Sequence, residues 1–102
     1  MKEPIEIRVA KQRDGYTFAI LPDTREQILA EVPNACPANR LSVMYPRRLE
    51  TDFSTYYEAV ESHVLLAILG VKSIEELKPL EIINFRESIT DTVLHQITFP
   101  HV

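Results

Sequence analysis

The sequence predicts a single α+β domain. A small, mostly antiparallel sheet begins with an N-terminal β-hairpin and carries its helices on one face, in the order β-β-α-β-α-α-β. Three observations support this class. Apolar and polar residues alternate near both ends of the chain, and apolar residues recur at helical spacing in the middle. The 102 residues, 45% of them apolar, suffice for one core. We therefore expect residues 1–102 to form one domain.

Composition limits the functions open to this domain. Its two glycines, Gly15 and Gly70, are far apart, which excludes a glycine-rich phosphate loop, and its single cysteine excludes an internal disulfide. The net charge of −4 disfavours non-specific binding to nucleic acid. The longest apolar run is far shorter than a membrane span. These features predict a cytoplasmic protein that has no cofactor and no contact with a membrane.

The first two strands are expected to form the hairpin. Apolar residues alternate with polar ones over residues 5–9, and the alternation resumes over residues 16–20. Between them, Asp14 and Gly15 form a pair that can adopt the positive φ values of a tight turn.

A short helix and a third strand follow the hairpin. Asp23 or Thr24 is expected to cap the helix, which must end before Pro33 because proline cannot continue it. A loop bracketed by prolines then leads to a strand over residues 41–45.

The longest predicted helix begins at Thr51 and Asp52 and ends near Leu69, with Gly70 in the position that favours a left-handed stop. Its last turns are apolar on both sides, because Leu65 and Leu69 lie away from the main apolar stripe. Such a helix end must be covered on two sides, either by a second helix of the same chain or by another molecule.

Two further elements complete the predicted fold. Ser73 and Glu76 form a capping box that begins a short turn of helix. A helix over residues 79–89 is predicted from the spacing of Ile82, Phe85 and Ile89.

The C-terminal segment, residues 93–99, fits a strand by alternation, although its apolar residues would also extend the preceding helix by fours. Residues 90–92 are poor helix formers, which favours a closing strand.

The sequence places no general base and no second metal ligand close to any candidate catalytic residue. Cys36 is the only thiol, and we interpret it as a small side chain that holds the proline loop against the core. A nucleophilic cysteine would need a nearby base and a third group to orient that base. His63, His95 and His101 lack the close pairing that is typical of zinc ligands.

One cluster of cations is the strongest candidate for partner binding. Residues 1–48 hold eight basic and six acidic side chains, whereas residues 49–102 hold three and nine. The basic excess includes arginines on both sides of the third strand, with a tyrosine between them, and such groups bind phosphates, carboxylates or protein pockets. The members of this cluster are Arg40, Tyr45, Arg47 and Arg48. The alternative is an exposed strand end whose arginines pair with Glu50 and Asp52.

The long helix supplies a second candidate surface. Tyr57 is adjacent to Tyr56, so the two side chains point about 100° apart and Tyr57 can reach beyond the core. Together with Leu65 and Leu69 it is a candidate for contact with a protein partner or with a second copy of the chain.

These features predict a small non-enzymatic protein-binding module that acts as an inhibitor or accessory regulator of a larger partner, of the kind that phages and plasmids carry. One form of this hypothesis is a homodimer in which two copies of the chain contact each other through the long helix. A nucleic-acid-binding regulator that uses the arginine cluster is the alternative. A cysteine-dependent enzyme is the third and least favoured hypothesis.

Overall fold

A computed structural model describes residues 3–13, 15–44 and 62–99, and over them the chain forms an α+β fold with one five-stranded mixed sheet. None of the helices in these ranges is long and apolar enough to cross a membrane. In chain order the elements are β1 (Ile5–Lys11), β2 (Gly15–Ala19), α1 (Pro22–Glu31), β3 (Arg40–Met44), α2 (Ser62–Leu69), a 3₁₀ helix (Ile74–Leu80), β4 (Ile82–Glu87) and β5 (Val93–Thr98).

The sheet has the strand order β3-β2-β1-β4-β5. The predicted hairpin is confirmed, with β1 and β2 antiparallel and Arg8 opposite Ala19. The expected mostly antiparallel sheet is confirmed, since three of the four strand pairs are antiparallel and only β1 and β4 are parallel. This parallel pair arises because the helical segment carries the chain from β3, at one edge of the sheet, to the far side of β1.

The core lies on one face of the sheet. Alternation along β1 turns Ile5, Ile7 and Val9 to this face, where they are completely or almost completely buried. Each helix contributes side chains to the same apolar cluster, so the helices cover one face of the sheet as predicted. The buried helical residues are Ile28, Val64, Leu65, Ile68, Leu69, Leu77 and Leu80.

Leu65 and Leu69 belong to this core, which corrects their assignment as partner-binding residues. Both have 0% exposure. The chain itself covers the end of α2, because the proline loop folds against it: the Cys36 N–H donates to the Leu69 carbonyl at 3.2 Å and the Ala38 N–H to the Ile68 carbonyl at 2.8 Å. A second copy of the chain is not needed to cover these leucines.

The predicted helix over residues 79–89 is wrong, because residues 82–87 form strand β4. The 3₁₀ helix ends at Leu80, and its C-cap residue Glu81 has a φ of 69°, which turns the chain out of helical geometry. Ile83 and Phe85 then point into the core, whereas Ile89 lies beyond the strand and is 88% exposed. The helical spacing of the apolar residues was therefore coincidental. The capping box of the 3₁₀ helix and the closing strand β5 are both confirmed.

The start of α1 also differs from the prediction. Leu21 is the N-cap residue and makes no side-chain capping bond, and Pro22 occupies the first turn. Proline suits this position because its φ is already helical and the N–H that it lacks would have no partner there. Asp23 and Thr24 therefore lie inside the helix, where the Asp23 carboxylate faces the positive end of the helix dipole.

Gly70 ends α2 as predicted, with a left-handed φ of 67°. The position also has no room for a side chain, because a Cβ atom would lie 2.1 Å from the Cys36 carbonyl oxygen. The proline loop can approach the helix end this closely only because residue 70 is glycine.

Replacing Gly70 by alanine is expected to destabilise the fold by about 2–4 kcal/mol, because the new Cβ atom clashes with backbone in a conformation that is already unfavourable for alanine. Urea unfolding followed by circular dichroism measures the change. Gly70→Asn serves as the companion variant, since asparagine tolerates the positive φ but also carries a Cβ atom. Full rescue by asparagine would contradict the clash.

The strand assignment of residues 82–87 predicts opposite outcomes for two isoleucines. Ile83→Ala should cost about 2–5 kcal/mol because it leaves a cavity in the core, whereas Ile89→Ala should change the free energy of unfolding by less than about 0.5 kcal/mol. Chemical denaturation of both variants tests this. Comparable losses would indicate that Ile89 is part of the core.

Candidate binding face of the sheet

The face of the sheet opposite the helices is polar, and we call it the open face. Strand alternation places on it every second residue of each strand, starting with Glu6 and Arg8 on β1. Strand pairing aligns these residues into rows that cross the sheet. One row joins Ser42, Thr17 and Ala10.

The neighbouring row contains three arginines. In register across the sheet, Arg40 lies opposite Ala19, Ala19 opposite Arg8, and Arg8 opposite Arg86. We call Arg40, Arg8 and Arg86 the arginine row. The small Ala19 side chain leaves space between Arg40 and Arg8, whose strands are separated by β2 and therefore lie about 10 Å apart.

Arg86 is held by two acidic residues. Its Nε donates to Oε2 of Glu6 at 3.1 Å and its Nη2 to Oε1 of Glu6 at 3.3 Å, which is a two-point contact. Its Nη1 donates to the Asp91 carbonyl at 2.7 Å. The hydrogen bonds to Glu6, together with the charges of Glu6 and Asp91, raise the pKa of the Arg86 guanidinium.

Arg8 is tied to the same network through Asp91. Its Nη1 donates to Oδ1 of Asp91 at 2.7 Å. This hydrogen bond, with the charges of Arg86 and Arg8, lowers the pKa of the Asp91 carboxyl. Asp91 therefore connects two members of the arginine row and holds their side chains in place.

Asn84 extends this network toward β5. It is only 4% exposed, but both ends of its amide are satisfied: Nδ2 donates to Glu6 at 3.3 Å, and Oδ1 accepts from Gln96 at 2.8 Å. A buried polar group with its hydrogen bonds satisfied rigidifies its surroundings. The Glu6 carboxylate is thereby held from the Asn84 side as well as from Arg86.

Arg40 differs from the other two arginines. It is exposed, and it makes no ion pair with any of the residues that the structure describes. Between Arg40 and Arg8 lies a shallow depression of about 440 Å³, which we call the open-face depression. Its lining includes the small residues Ala10 and Ala19 and the hydroxyl residues Thr17, Ser42 and Ser88.

The loop between β4 and β5 borders this depression through Ser88 and presents Ile89 to solvent. The loop is well anchored. The Ser88 N–H donates to the Val9 carbonyl at 2.9 Å, and the Glu87 N–H donates to the Thr92 carbonyl at 2.8 Å. Ile89 is thus a large apolar side chain, 88% exposed, on a loop with a fixed backbone.

The predicted partner-binding residues have different outcomes. Arg40 is exposed at the edge of the sheet, next to the depression. Four of these residues lie outside the part of the chain that the structure describes: Tyr45, Arg47, Arg48 and Tyr57. The same is true of His101, which was considered as a metal ligand. Arg8 and Arg86 were missed, and the only signal for them was their position on the polar side of their strands, which required the correct strand register to interpret.

Cys36, His63 and His95 lie within residues 3–13, 15–44 and 62–99, which the structure describes. Cys36 is exposed, so its side chain does not hold the loop against the core as expected, and the buried Ala35 and Pro37 on either side of it do so instead. No group of three or more histidine, cysteine or acidic residues in these ranges has the geometry of a metal site.

The fold and this face define an α+β protein whose sheet is covered on one side and exposes a polar, partly ion-paired surface on the other. Comparison with protein-family models, with curated protein sequences and with solved structures found no significant match. The function is therefore inferred from the open face itself.

The link between Arg8 and Asp91 predicts a measurable pH dependence. Because the folded-state pKa of Asp91 is lowered, its contribution to stability is complete above the ordinary pKa of an aspartate and is lost as the pH falls through the lowered value. Carboxyl NMR titration should show an Asp91 midpoint below the ordinary value, and Arg8→Gln should raise it. Lys72→Gln is the control that should leave it unchanged. An Asp91 midpoint at the ordinary value in the unsubstituted protein would contradict the ion pair.

Proposed function

We propose that this protein is a non-enzymatic module that binds a larger protein through the open face of its sheet and acts as an inhibitor or accessory regulator of that protein. The observation that carries the proposal is the combination of ion-paired arginines on the open face with an exposed isoleucine on the anchored loop that borders the open-face depression.

The ion pairs favour binding because they fix long side chains before a partner arrives. An arginine that becomes ordered only on binding loses side-chain entropy of about 0.5–1.5 kcal/mol, which lowers the affinity. Arg8 and Arg86 are already held by Glu6 and Asp91, so much of this cost is met when the chain folds. Arginines are also enriched in the residues that dominate protein interfaces.

Ile89 supports a protein partner by a separate line of reasoning. An isoleucine that is 88% exposed contributes nothing to the core. On a loop fixed by backbone hydrogen bonds to β1, it can enter an apolar pocket of a partner with little further loss of conformational freedom. Burying it there would remove apolar area from water, the main favourable term in protein association.

The nucleic-acid alternative receives less support from the same face. Binding to a phosphate backbone depends on several cations that are free to replace counterions. Within the arginine row, Arg8 and Arg86 are paired with carboxylates, and only Arg40 makes no ion pair with the described residues. The alternative therefore rests on Arg40 together with Arg47 and Arg48.

An enzymatic role for Cys36 is also poorly supported. Its backbone packs against the carbonyl end of α2, which is not the electropositive setting that activates a thiolate. We therefore place the function in binding rather than in catalysis.

Two exposed apolar residues allow a matched test of the proposed function. Tagged protein is recovered from the source cell, and its bound proteins are quantified by mass spectrometry. Ile89→Ser should reduce recovery of the specific partner at least ten-fold, whereas Leu21→Ser should not, because Leu21 is 48% exposed but lies at the start of α1, away from the open face. Serine is moreover a favourable N-cap residue, so the control variant should fold.

Two results would contradict the proposed function. One is equal recovery of the partner by the unsubstituted protein and both variants, which would place the contact elsewhere on the molecule. The other is recovery that is abolished by nuclease treatment, which would favour the nucleic-acid alternative.

A further inference from the structure

The lining of the open-face depression has an unusual chemical balance. Among the described residues it includes two cations, Arg8 and Arg40, the amide of Gln12 and the three hydroxyl residues Thr17, Ser42 and Ser88, but no carboxylate. This is a donor-rich surface in a chain whose net charge is −4. Because guanidinium groups donate hydrogen bonds and accept none, the complementary ligand must supply acceptors, and negatively charged acceptors bind most strongly.

Both arginines have donors available to such a ligand. Arg40 makes no ion pair with the described part of the chain, and Arg8 commits a single nitrogen, Nη1, to Asp91. A guanidinium has five N–H donors, so a carboxylate can bind Arg8 without displacing Asp91. Asp91 instead restricts where the Arg8 side chain can go, which leaves its head group beside the depression.

The spacing of the arginines indicates two separate carboxylates. Their strands lie about 10 Å apart, on either side of β2. An extended peptide places residues two apart on the same side at a separation of about 7 Å. Two acidic side chains with one residue between them can therefore reach both guanidinium groups, because Asp91 holds Arg8 in place while the long stem of Arg40, which makes no ion pair with the described residues, can adjust to the second carboxylate. A single small anion would contact one arginine well and the other poorly.

The floor of the depression suits a peptide backbone. Ala10 and Ala19 are small, so an extended chain can approach the sheet closely between the two arginines. Ser88 lies at the border of the depression and is followed directly by Ile89, so a chain that continues toward the loop would meet an apolar surface after its acidic residues.

We infer that the open-face depression binds an extended acidic segment of the protein partner, in which two carboxylates with one residue between them pair with Arg8 and Arg40 and a following apolar side chain packs on Ile89. This inference rests on the proposed function and specifies the chemistry of the partner. Charge complementarity supplies the affinity, and the apolar contact with Ile89 sets the direction in which the segment lies.

The test uses the full chain, labelled with ¹⁵N, and a capped hexapeptide in which two glutamates are separated by a serine and followed by a leucine. Amide shifts of Thr17, Ala19 and Ser42 should change during the titration. The counterpart peptide with glutamine at both positions should bind at least ten-fold more weakly, because it lacks the charges that pair with the arginines.

Two variants with the same change in charge locate the contact. Arg40→Gln should weaken binding of the glutamate peptide about ten-fold, whereas Lys72→Gln should change it less than two-fold, because Lys72 is exposed but does not line the depression. Thermal melts of both variants confirm that they are folded. Equal weakening by the two variants would show a general effect of charge and would overturn the inference.

Two further ligands test whether the depression prefers a phosphate group to the carboxylates of a peptide. If inorganic phosphate produces the same amide shifts, with the same dependence on Arg40, the depression is a general anion site. That result would overturn the inference that it binds an acidic segment. A single-stranded oligonucleotide that binds more tightly than the glutamate peptide would also overturn it. If no ligand changes the amide shifts, the depression is rejected as a binding site. The proposed function is tested separately, by the recovery of the partner with the Ile89→Ser variant.

Discussion

The central strand β1 determines both faces of this molecule, because it pairs with β2, its partner in the hairpin, on one side and with β4, from the C-terminal half of the chain, on the other. Its antiparallel ladder with β2 and its parallel ladder with β4 fix a single register across the sheet. In that register Ile5, Ile7 and Val9 enter the core. A slip of one residue would turn these side chains to solvent and bury charged ones, so the hydrophobic core holds the register in place.

The same register creates the candidate site, since Arg8 lies between Arg86 on one neighbouring strand and the space above Ala19 on the other. Glu6, two residues before Arg8, holds Arg86, while Asp91 reaches back from the β4–β5 loop to both arginines. A network that joins three strands and a loop has little freedom to rearrange. Side chains fixed in this way are typical of a preorganised binding surface.

Local patterns predicted the parts of the fold that depend on local interactions. The hairpin followed from alternation, the capping box from Ser73 and Glu76, and the end of α2 from Gly70. Strand β4 was mistaken for a helix because its ladder with β1 joins it to residues far away in the chain, and no local pattern reports such pairing. The arginine row was missed for the same reason, since only the register brings its members together. Leu65 and Leu69 were assigned to a partner because the loop that covers α2 is distant in sequence from it.

The parallel pairing of β1 with β4 also has a consequence for synthesis on the ribosome. Ile5 finds its neighbour only at Ile83, so β1 remains an uncovered, apolar edge strand while most of the chain is being made. Until β4 emerges, the nascent hairpin offers a template for pairing with other chains, and folding must wait for a contact between distant segments. Chaperone dependence and aggregation of truncated products are therefore expected to be properties of the topology and not of any one residue.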